Sequence, residues 1–383
     1  MEFFMDFFSL PSWQQLVMMV IGGLLIFLAI RHNMEPALLL PIGFGAILVN
    51  LPLSGAVTQV IDEVTEVGAL DVLFNAGIAN ELFPLLLFIG IGAMIDFGPL
   101  LSNPKMLLFG AAAQFGIFFT LSMAALLGFD LKDAASIAII GAADGPTSIF
   151  VANYFHSNYV GAIIVAAYSY MALVPIVQPP VIRLITTKKE RMIRMPYEPK
   201  DISKTTRILF PIVVTIIAGL VAPRSVALIG FLMFGNLIRE CGVLGSLSES
   251  AQKELANLIT LLLGITVAAR MQADAFLTWE TLMILGLGLV AFIFDTVGGV
   301  LFAKVLNLFS KKKVNPMIGA AGISAFPMSS RVVHKMGLKE DPQNFLLMHA
   351  AGANVSGQIA SVIAGGLIIK LLAGERRALY VQR

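Results

Sequence analysis

Apolar runs too long and too frequent for a soluble core recur along almost the whole chain. They are Trp13–Ile30, Pro36–Leu53, Leu82–Phe97, Met106–Gly128, Ala134–Ala152, Val160–Ile182, Ile208–Ala222, Ser225–Ile238, Leu255–Ala269, Thr281–Phe309, Pro316–Ser329 and Phe345–Leu372. In lipid the backbone must satisfy its own hydrogen bonds, so spans of this kind are helices or closed barrels. Runs of this length and composition read as helices. With 57% hydrophobic and 13% charged residues, the chain is expected to be an all-α polytopic integral membrane protein. Allowing about 20 residues per crossing, the runs correspond to about 10–12 transmembrane segments.

The charge pattern supplies an orientation. Lys188, Lys189, Arg191, Arg194, Lys200 and Lys204 fall in one polar loop, Lys311, Lys312 and Lys313 in a second, and Arg376, Arg377 and Arg383 at the end. All three clusters are expected on the cytoplasmic side. They read as topology signals before they read as docking surfaces. The net charge of +2 gives no reason to expect a nucleic-acid partner. Cys241 is the single cysteine, so no intramolecular disulfide and no thiolate cluster can form; it reads as a packing residue. His32, His156, His334 and His349 show no ligand spacing, which disfavours transition-metal chemistry. Glu2 and Asp6 stand where a cleaved signal peptide would be basic, so the first helix is expected to insert and stay.

Inside one apolar run sits a carboxylate: Gly141-Ala142-Ala143-Asp144-Gly145-Pro146-Thr147-Ser148. Ionisable residues at such depth are expensive and usually functional. Gly145-Pro146 breaks the helix at the same point, and broken backbone is tolerated in a membrane only where protein or a cavity surrounds it. An approximate repeat sets this break in a pattern. Asn103-Pro104 precedes Gly110-Ala111-Ala112, and Asn315-Pro316 precedes Gly319-Ala320-Ala321. Asp144 and Asn354 then follow at nearly equal spacing, Asn354 in Ala351-Gly352-Ala353-Asn354-Val355-Ser356-Gly357. An odd number of crossings separates the two Asn-Pro points, so the repeats run in opposite senses. Inverted-topology repeats with interrupted helices place ion and substrate sites at their interface near the midplane. The expected organisation is residues 1–80 as N-terminal membrane helices and an amphipathic linker, and 81–183 as the first repeat with the Asp144 break. A cytoplasmic loop follows at 184–207, connecting helices at 208–280, a second repeat with breaks at Asn315 and Asn354 at 281–373, and a cytoplasmic tail at 374–383.

One carboxylate among neutral oxygens suits a monovalent cation, whereas calcium normally recruits more carboxylates. Thr147, Ser148, Asn315, Ser324, Asn354 and Ser356 are the neutral candidates around Asp144, each of which taken alone is more often a helix–helix hydrogen bond. Asp295 is a second intramembrane acid and the rival to Asp144, without a neighbouring proline. Arg331 is either a boundary cation or an anchor for an anion. Tyr168 and Tyr170 lie some turns inside their run; a buried phenol needs a partner and can relay a proton.

Four motifs together resemble one known family. They are Gly-Ala-Ala-Asp144-Gly-Pro-Thr-Ser; Ala-Tyr-Ser-Tyr170-Met-Ala-Leu-Val-Pro-Ile-Val-Gln-Pro-Pro; Asn315-Pro-Met-Ile-Gly319-Ala-Ala-Gly-Ile-Ser324-Ala-Phe-Pro-Met-Ser-Ser-Arg331; and His349-Ala-Ala-Gly-Ala-Asn354-Val-Ser-Gly-Gln-Ile. The chain resembles the β subunit of the sodium-pumping biotin-dependent decarboxylases, which act on oxaloacetate, methylmalonyl-CoA, glutaconyl-CoA or malonate, from Pro36 to about Leu372. The resemblance implies that the chain decarboxylates carboxybiotin and couples this to Na⁺ export with consumption of a proton. It implies functional roles for Asp144, Tyr170, Asn315, Gly319, Ser324, Arg331 and Asn354. The joint reading takes Asp144, Asn315, Ser324 and Asn354 as Na⁺ ligands, with Gly319 giving close approach. It takes Arg331 as the anchor of the carboxybiotin carboxylate and Tyr170 as the proton donor. Lys105-Met106 and Lys335-Met336 abut membrane segments and are not biotin attachment sites. The resemblance therefore implies a carboxyltransferase, a biotin carrier and a small membrane anchor as partners, a homo-oligomer within the complex, and the inner membrane of a bacterium or archaeon. A secondary Na⁺ symporter or Na⁺/H⁺ antiporter is the alternative; Arg331 and Tyr170 beside a cation cluster are what a plain exchanger does not need.

Overall fold

The computed structural model describes residues 10–32, 34–61, 64–197 and 201–381, the last nine as helix backbone only. Glu2, Asp6, Lys200 and the side chains of Arg376, Arg377 and Arg383 lie outside what is described. Among the described residues the fold is helical, with one antiparallel strand pair (β1 Gln59–Ile61, β2 Val64–Glu66) standing where an amphipathic linker is expected.

The principal helices, in chain order, are α1 (Trp13–His32), α2 (Pro36–Val49), α3 (Leu82–Met94), α4 (Leu107–Ala113), α5 (Phe115–Leu126), α6 (Leu131–Ala138) and α7 (Gly145–Tyr154). They continue as α8 (Val160–Ile185), α9 (Lys204–Val221), α10 (Val226–Glu240), α11 (Ala256–Val267), α12 (Trp279–Phe309), α13 (Met328–Glu340) and α14 (Leu347–Val381). Side-chain caps start several of them. Asp130 accepts from the Lys132 amide at α6, Ser203 from Thr206 at α9, and Thr278 from Thr281 at α12, each satisfying an amide that a helix leaves open at its first turn. Pro175, Pro179 and Pro180 lie inside α8, where each removes a backbone donor.

Among the described residues, six helices are long and apolar enough to cross a membrane: Trp13–His32, Pro104–Leu126, Val160–Ile185, Lys204–Val221, Trp279–Phe309 and Leu347–Leu372. A seventh arises if Ala69–Ile78 and Leu82–Met94, bent by 61°, form one span. The chain is thus an all-α polytopic membrane protein, with fewer full-length crossings than the ten to twelve the apolar runs suggest. The difference has a physical origin. The run around Asp144 is cut into α6 and α7, the run after Pro316 into a short turn and α13, and α10 and α11 are 15 and 12 residues long. The interruption expected at Asn354 is absent: α14 runs through it without a break. The small residues there serve close packing instead, since a side chain on Gly357 would strike the Gly322 backbone.

Two breaks remain, and they are alike. The first is a 3₁₀ turn, Ile139–Ala142, then Ala143-Asp144, then α7. The second is the short helix Met317–Ala320, then residues 321–327, then α13. Each is followed by a long helix, α8 or α14. Aligned on their prolines, Gly141 and Gly322, Ala143 and Ser324, and Ser148 and Ser329 stand at matching positions, and Asp144 matches Ala325 rather than Asn354. The breaks touch: the Ser324 amide donates to the Ala142 carbonyl at 3.0 Å.

Candidate functional site

Ala143 ends the 3₁₀ turn with φ 51° and ψ 45°, the left-handed region. A residue with a Cβ is held there at a cost of about 1–2 kcal/mol, and such strain concentrates where function needs the backbone reversed. The reversal puts Asp144 at the N-cap of α7. Pro146 then occupies the first helical turn, where its missing donor is harmless. The Asp144 side chain is buried, at 3% exposure. Its Oδ2 accepts from Thr147 Oγ1 at 2.7 Å and from Ser361 Oγ at 3.0 Å, and its Oδ1 from the Thr147 amide at 3.4 Å. Ser148 Oγ donates to the Asp144 carbonyl at 2.9 Å. Among the described residues no Lys, Arg or His forms an ion pair with it. Two hydroxyls, one amide and the positive end of a helix hold this carboxylate, and none of them neutralises it with a full positive charge.

The second break faces this one through α14. Asn354 Nδ2 donates to the Ile323 carbonyl at 2.7 Å, Gln358 Nε2 to the Ser324 carbonyl, and Ser324 Oγ to the Gly357 carbonyl at 2.9 Å. Asn354, Gln358 and Ser361 share one helical face, so a single stripe of α14 binds the second break at one end and Asp144 at the other. Asn354 Oδ1 and Gln358 Oε1 are buried and, among the described residues, without a hydrogen-bond partner. From α8, Gln178 Nε2 donates to the Ala320 carbonyl at 2.6 Å and to Ser329 Oγ at 2.9 Å.

The expected site residues divide. Asp144, Ser324 and Asn354 gather at the crossing, with Thr147 and Ser148. Ser356 does not join them; its hydroxyl bonds the Met106 and Ala353 carbonyls. Asn315 is turned away: its Nδ2 donates to the carbonyls of Arg191 and Ile193 at 2.8 and 2.9 Å, clamping the polar loop. Gly319 lies against Gly299 of α12, so close that a side chain on either would strike the other's backbone; it serves helix approach. Tyr170 donates to the Leu285 carbonyl of α12. Asp295 Oδ1 accepts from the Ile117 amide at 3.2 Å, in the first turn of α5, while its Oδ2 has no partner among the described residues. Gln178, Gln358 and Ser361 were not singled out by the motifs. The polar spacing of four and then three residues in Asn354, Gln358 and Ser361 on an apolar helix is the signal that could have found two of them.

Arg331 opens on a separate cavity of about 640 Å³ between α1, α2, α8 and α13. Arg331, Lys335 and Lys339 line it at successive turns of α13, with Arg183 adding a further cation and His32 an imidazole. Glu35, in the left-handed conformation before α2, supplies the acid. Its carboxyl is raised above the usual range by burial, against a lowering by Arg331.

A family model described as the Na⁺-transporting oxaloacetate decarboxylase beta subunit matches residues 14–372. The chain belongs to this family. It is 49% identical to the methylmalonyl-CoA decarboxylase subunit beta of Propionigenium modestum, covering 93% of this chain and 94% of that protein. It is 48% identical to the glutaconyl-CoA decarboxylase subunit beta of Acidaminococcus fermentans, covering 95% of each. With the oxaloacetate decarboxylase beta chain of Haemophilus ducreyi the identity is 44%, over 94% of this chain and 95% of the relative. As a β subunit of the sodium-transporting decarboxylases, the chain is one component of a multi-subunit membrane assembly. A free-standing secondary transporter is not favoured.

Proposed function

We propose that this β subunit receives carboxybiotin from a biotin carrier, releases CO₂ from it, and couples that step to Na⁺ export from the cytoplasm. The observation that carries the reading is the buried Asp144 carboxylate at a helix break, met by hydroxyls and facing a second break across α14, whose Asn354 and Gln358 amide oxygens have no partner among the described residues. Na⁺ is the transported substrate. Asp144 supplies its countercharge, and Thr147, Ser361, Ser324, Asn354 and Gln358 supply neutral oxygens. Asn315 acts as a positioning residue through the loop it holds, and Gly319 through the contact with α12.

In the chemical step the bond between the biotin nitrogen and the carboxylate breaks. CO₂ leaves, and the nitrogen takes up a proton. The cationic cavity attracts the carboxylate, with Arg331 as its anchor, and Tyr170 is the proton donor, which must first release the Leu285 carbonyl. Moving one charge against 100 mV costs about 2.3 kcal/mol, so CO₂ release must be tied to the side on which the Asp144 site opens. Alternating exposure of one broken repeat against the other is the vehicle.

The acid that feeds the complex is chosen elsewhere. Relatives named for three different acids are similar to this chain to nearly the same degree, which fits a choice made by a carboxyltransferase partner. A biotin carrier and a small membrane anchor complete the assembly, with more than one β subunit in it. The location is the inner membrane of a bacterium or archaeon, the Lys/Arg-rich loops facing the cytoplasm. The test uses the purified complex in vesicles. Asp144→Asn abolishes Na⁺-dependent carboxybiotin decarboxylation and Na⁺ uptake together; full retention of either overturns the assignment. Recovery of avidin-reactive protein with the chain separates the pump from a lone transporter.

A further inference from the structure

Tyr168 and Tyr170 stand two residues apart on α8 and so point about 200° apart around its axis. They cannot serve one site. Tyr170 faces α12, with its hydroxyl on the Leu285 carbonyl and its ring against Gly288. Tyr168 faces the N-terminus of α7. A Cβ added to Gly145 would fall on the Tyr168 ring, at Cζ, Cε1 and Cε2, the last 2.8 Å away. Cζ is the atom that bears the hydroxyl, and Gly145 is the residue next to Asp144. This is the physical reason for glycine in the Asp-Gly-Pro sequence: Pro146 is accommodated by its place in the helix, while Gly145 makes room for a phenol.

Tyr168 is fully buried, at 1% exposure, among Ile149, Ile164 and Val165. Its hydroxyl has no hydrogen-bond partner among the described residues, and Asp144 lies within electrostatic reach of it. A buried phenol normally has a partner. Here the ring is pinned, so the hydroxyl cannot swing out to find one. A neutral phenol offers two lone pairs, and the adjacent site needs neutral oxygens around a single carboxylate.

We propose that the Tyr168 hydroxyl is a ligand of the Na⁺ held by Asp144, and that Tyr168, not Tyr170, is the phenol of the ion site. The proposal rests on the reading of Asp144 as a Na⁺ ligand. Among the described residues no group pairs with the hydroxyl, so removing it takes none of the described hydrogen bonds from the fold. It takes one oxygen from the ion.

The experiment compares the purified assembled complex carrying Tyr168→Phe, Tyr170→Phe or Asp144→Asn. Two quantities are read: the Na⁺ concentration for half-maximal carboxybiotin decarboxylation, and the rise in thermal unfolding midpoint on replacing K⁺ by Na⁺ at constant ionic strength. Tyr168→Phe raises half-saturation about tenfold, as expected for one lost contact to a charged group. It also shrinks the Na⁺-specific rise and leaves the midpoint in K⁺ unchanged. Tyr170→Phe lowers the maximal rate without moving half-saturation. A wild-type Na⁺ response in Tyr168→Phe overturns the proposal, as does a lowered midpoint in K⁺, which would make the hydroxyl a structural partner. If Asp144→Asn loses its Na⁺ response while Tyr168→Phe keeps it, only the Tyr168 assignment falls. If Asp144→Asn also keeps it, the reading of Asp144 falls too.

Discussion

Ser361 and Asp295 show how differently two residues can relate to a carboxylate in an apolar fold. Ser361 reaches Asp144 Oδ2 from α14 at 3.0 Å. A hydrogen bond to a charged group contributes about 1.5–3 kcal/mol, so Ser361→Ala is expected to weaken the Na⁺ response about tenfold or more, measured as half-saturating Na⁺ in the assembled complex. Asp295 has another task. It caps the first turn of α5 from a different helix, accepting from the Ile117 amide, where a carboxylate complements the helix dipole. Asp295→Ala leaves that buried amide unpaired, a loss of about 1–3 kcal/mol, and should lower the unfolding midpoint without moving half-saturating Na⁺. Asn at this position, which can still accept from the amide, should recover part of the loss. Asp144 was legible in the sequence because a charge beside Gly-Pro in an apolar run has few structural explanations. Tyr168 was legible only as a buried phenol in need of a partner, and Gln358 and Ser361 only as polar spacing along an apolar helix; what they face depends on which helix lies opposite. Sequence spacing does not say that.

The loop between α8 and α9 is tied down as an element. Arg191 pairs with Glu340 at 2.8 Å, Arg194 with Asp341 at 2.5 Å, and Glu190 with Lys304 at 3.1 Å, while Asn315 and Asn344 both donate to the Arg191 carbonyl. Two of the cations read as topology signals are therefore internal clamps on the C-terminal end of α13. Asn315 belongs to this clamp, which the repeated Asn-Pro could not reveal: the same dipeptide marks a helix entry whether its amide faces an ion or a loop carbonyl. Asn315→Ala should leave the Arg191 and Ile193 carbonyls without this donor and speed proteolytic cleavage between residues 186 and 197. The clamp is also pH-dependent. Desolvation pushes the Glu190 carboxyl up, but the Thr187 amide, Lys304 and the Thr187 hydroxyl outweigh it, and the net shift is downward from 4.5. Asp341 is lowered by its bond to Arg194 and by the Gln343 amide. Carboxyls depressed in the folded state stabilise it fully above their unfolded pKa and lose that contribution as pH falls through the folded one. Hydrogen exchange in residues 186–197 should therefore be flat near neutrality, once corrected for its intrinsic pH dependence, and should accelerate below about pH 4.5.

For the whole molecule, composition was enough to announce a helical membrane protein, whereas the count of crossings was not, because hydropathy does not distinguish a full span from two halves meeting at a break. The roles proposed above keep the two substrates apart: Na⁺ at the crossing of the breaks, the carboxylate in the cavity lined by Arg331. Two elements connect them. α8 carries Tyr168 toward Asp144 and Pro175 and Pro179 into the cavity wall. α13 follows directly on its N-cap Pro327, at the end of the second break, and presents Arg331 to the cavity within its first turn. An anion drawn to Arg331 therefore pulls on a helix whose first residues adjoin the Ser324 contact with Ala142. Coupling between two sites is reciprocal in free energy: if carboxybiotin tightens Na⁺ binding by some factor, Na⁺ tightens carboxybiotin binding by the same factor. Arg331→Gln should push that factor toward one while leaving the Na⁺-specific thermal shift measured without carboxybiotin at its wild-type size. The comparison is the Na⁺ titration of the complex with the carrier carboxylated and uncarboxylated. An unchanged factor in Arg331→Gln would remove Arg331 and α13 from the path between the two sites and leave α8 to carry it.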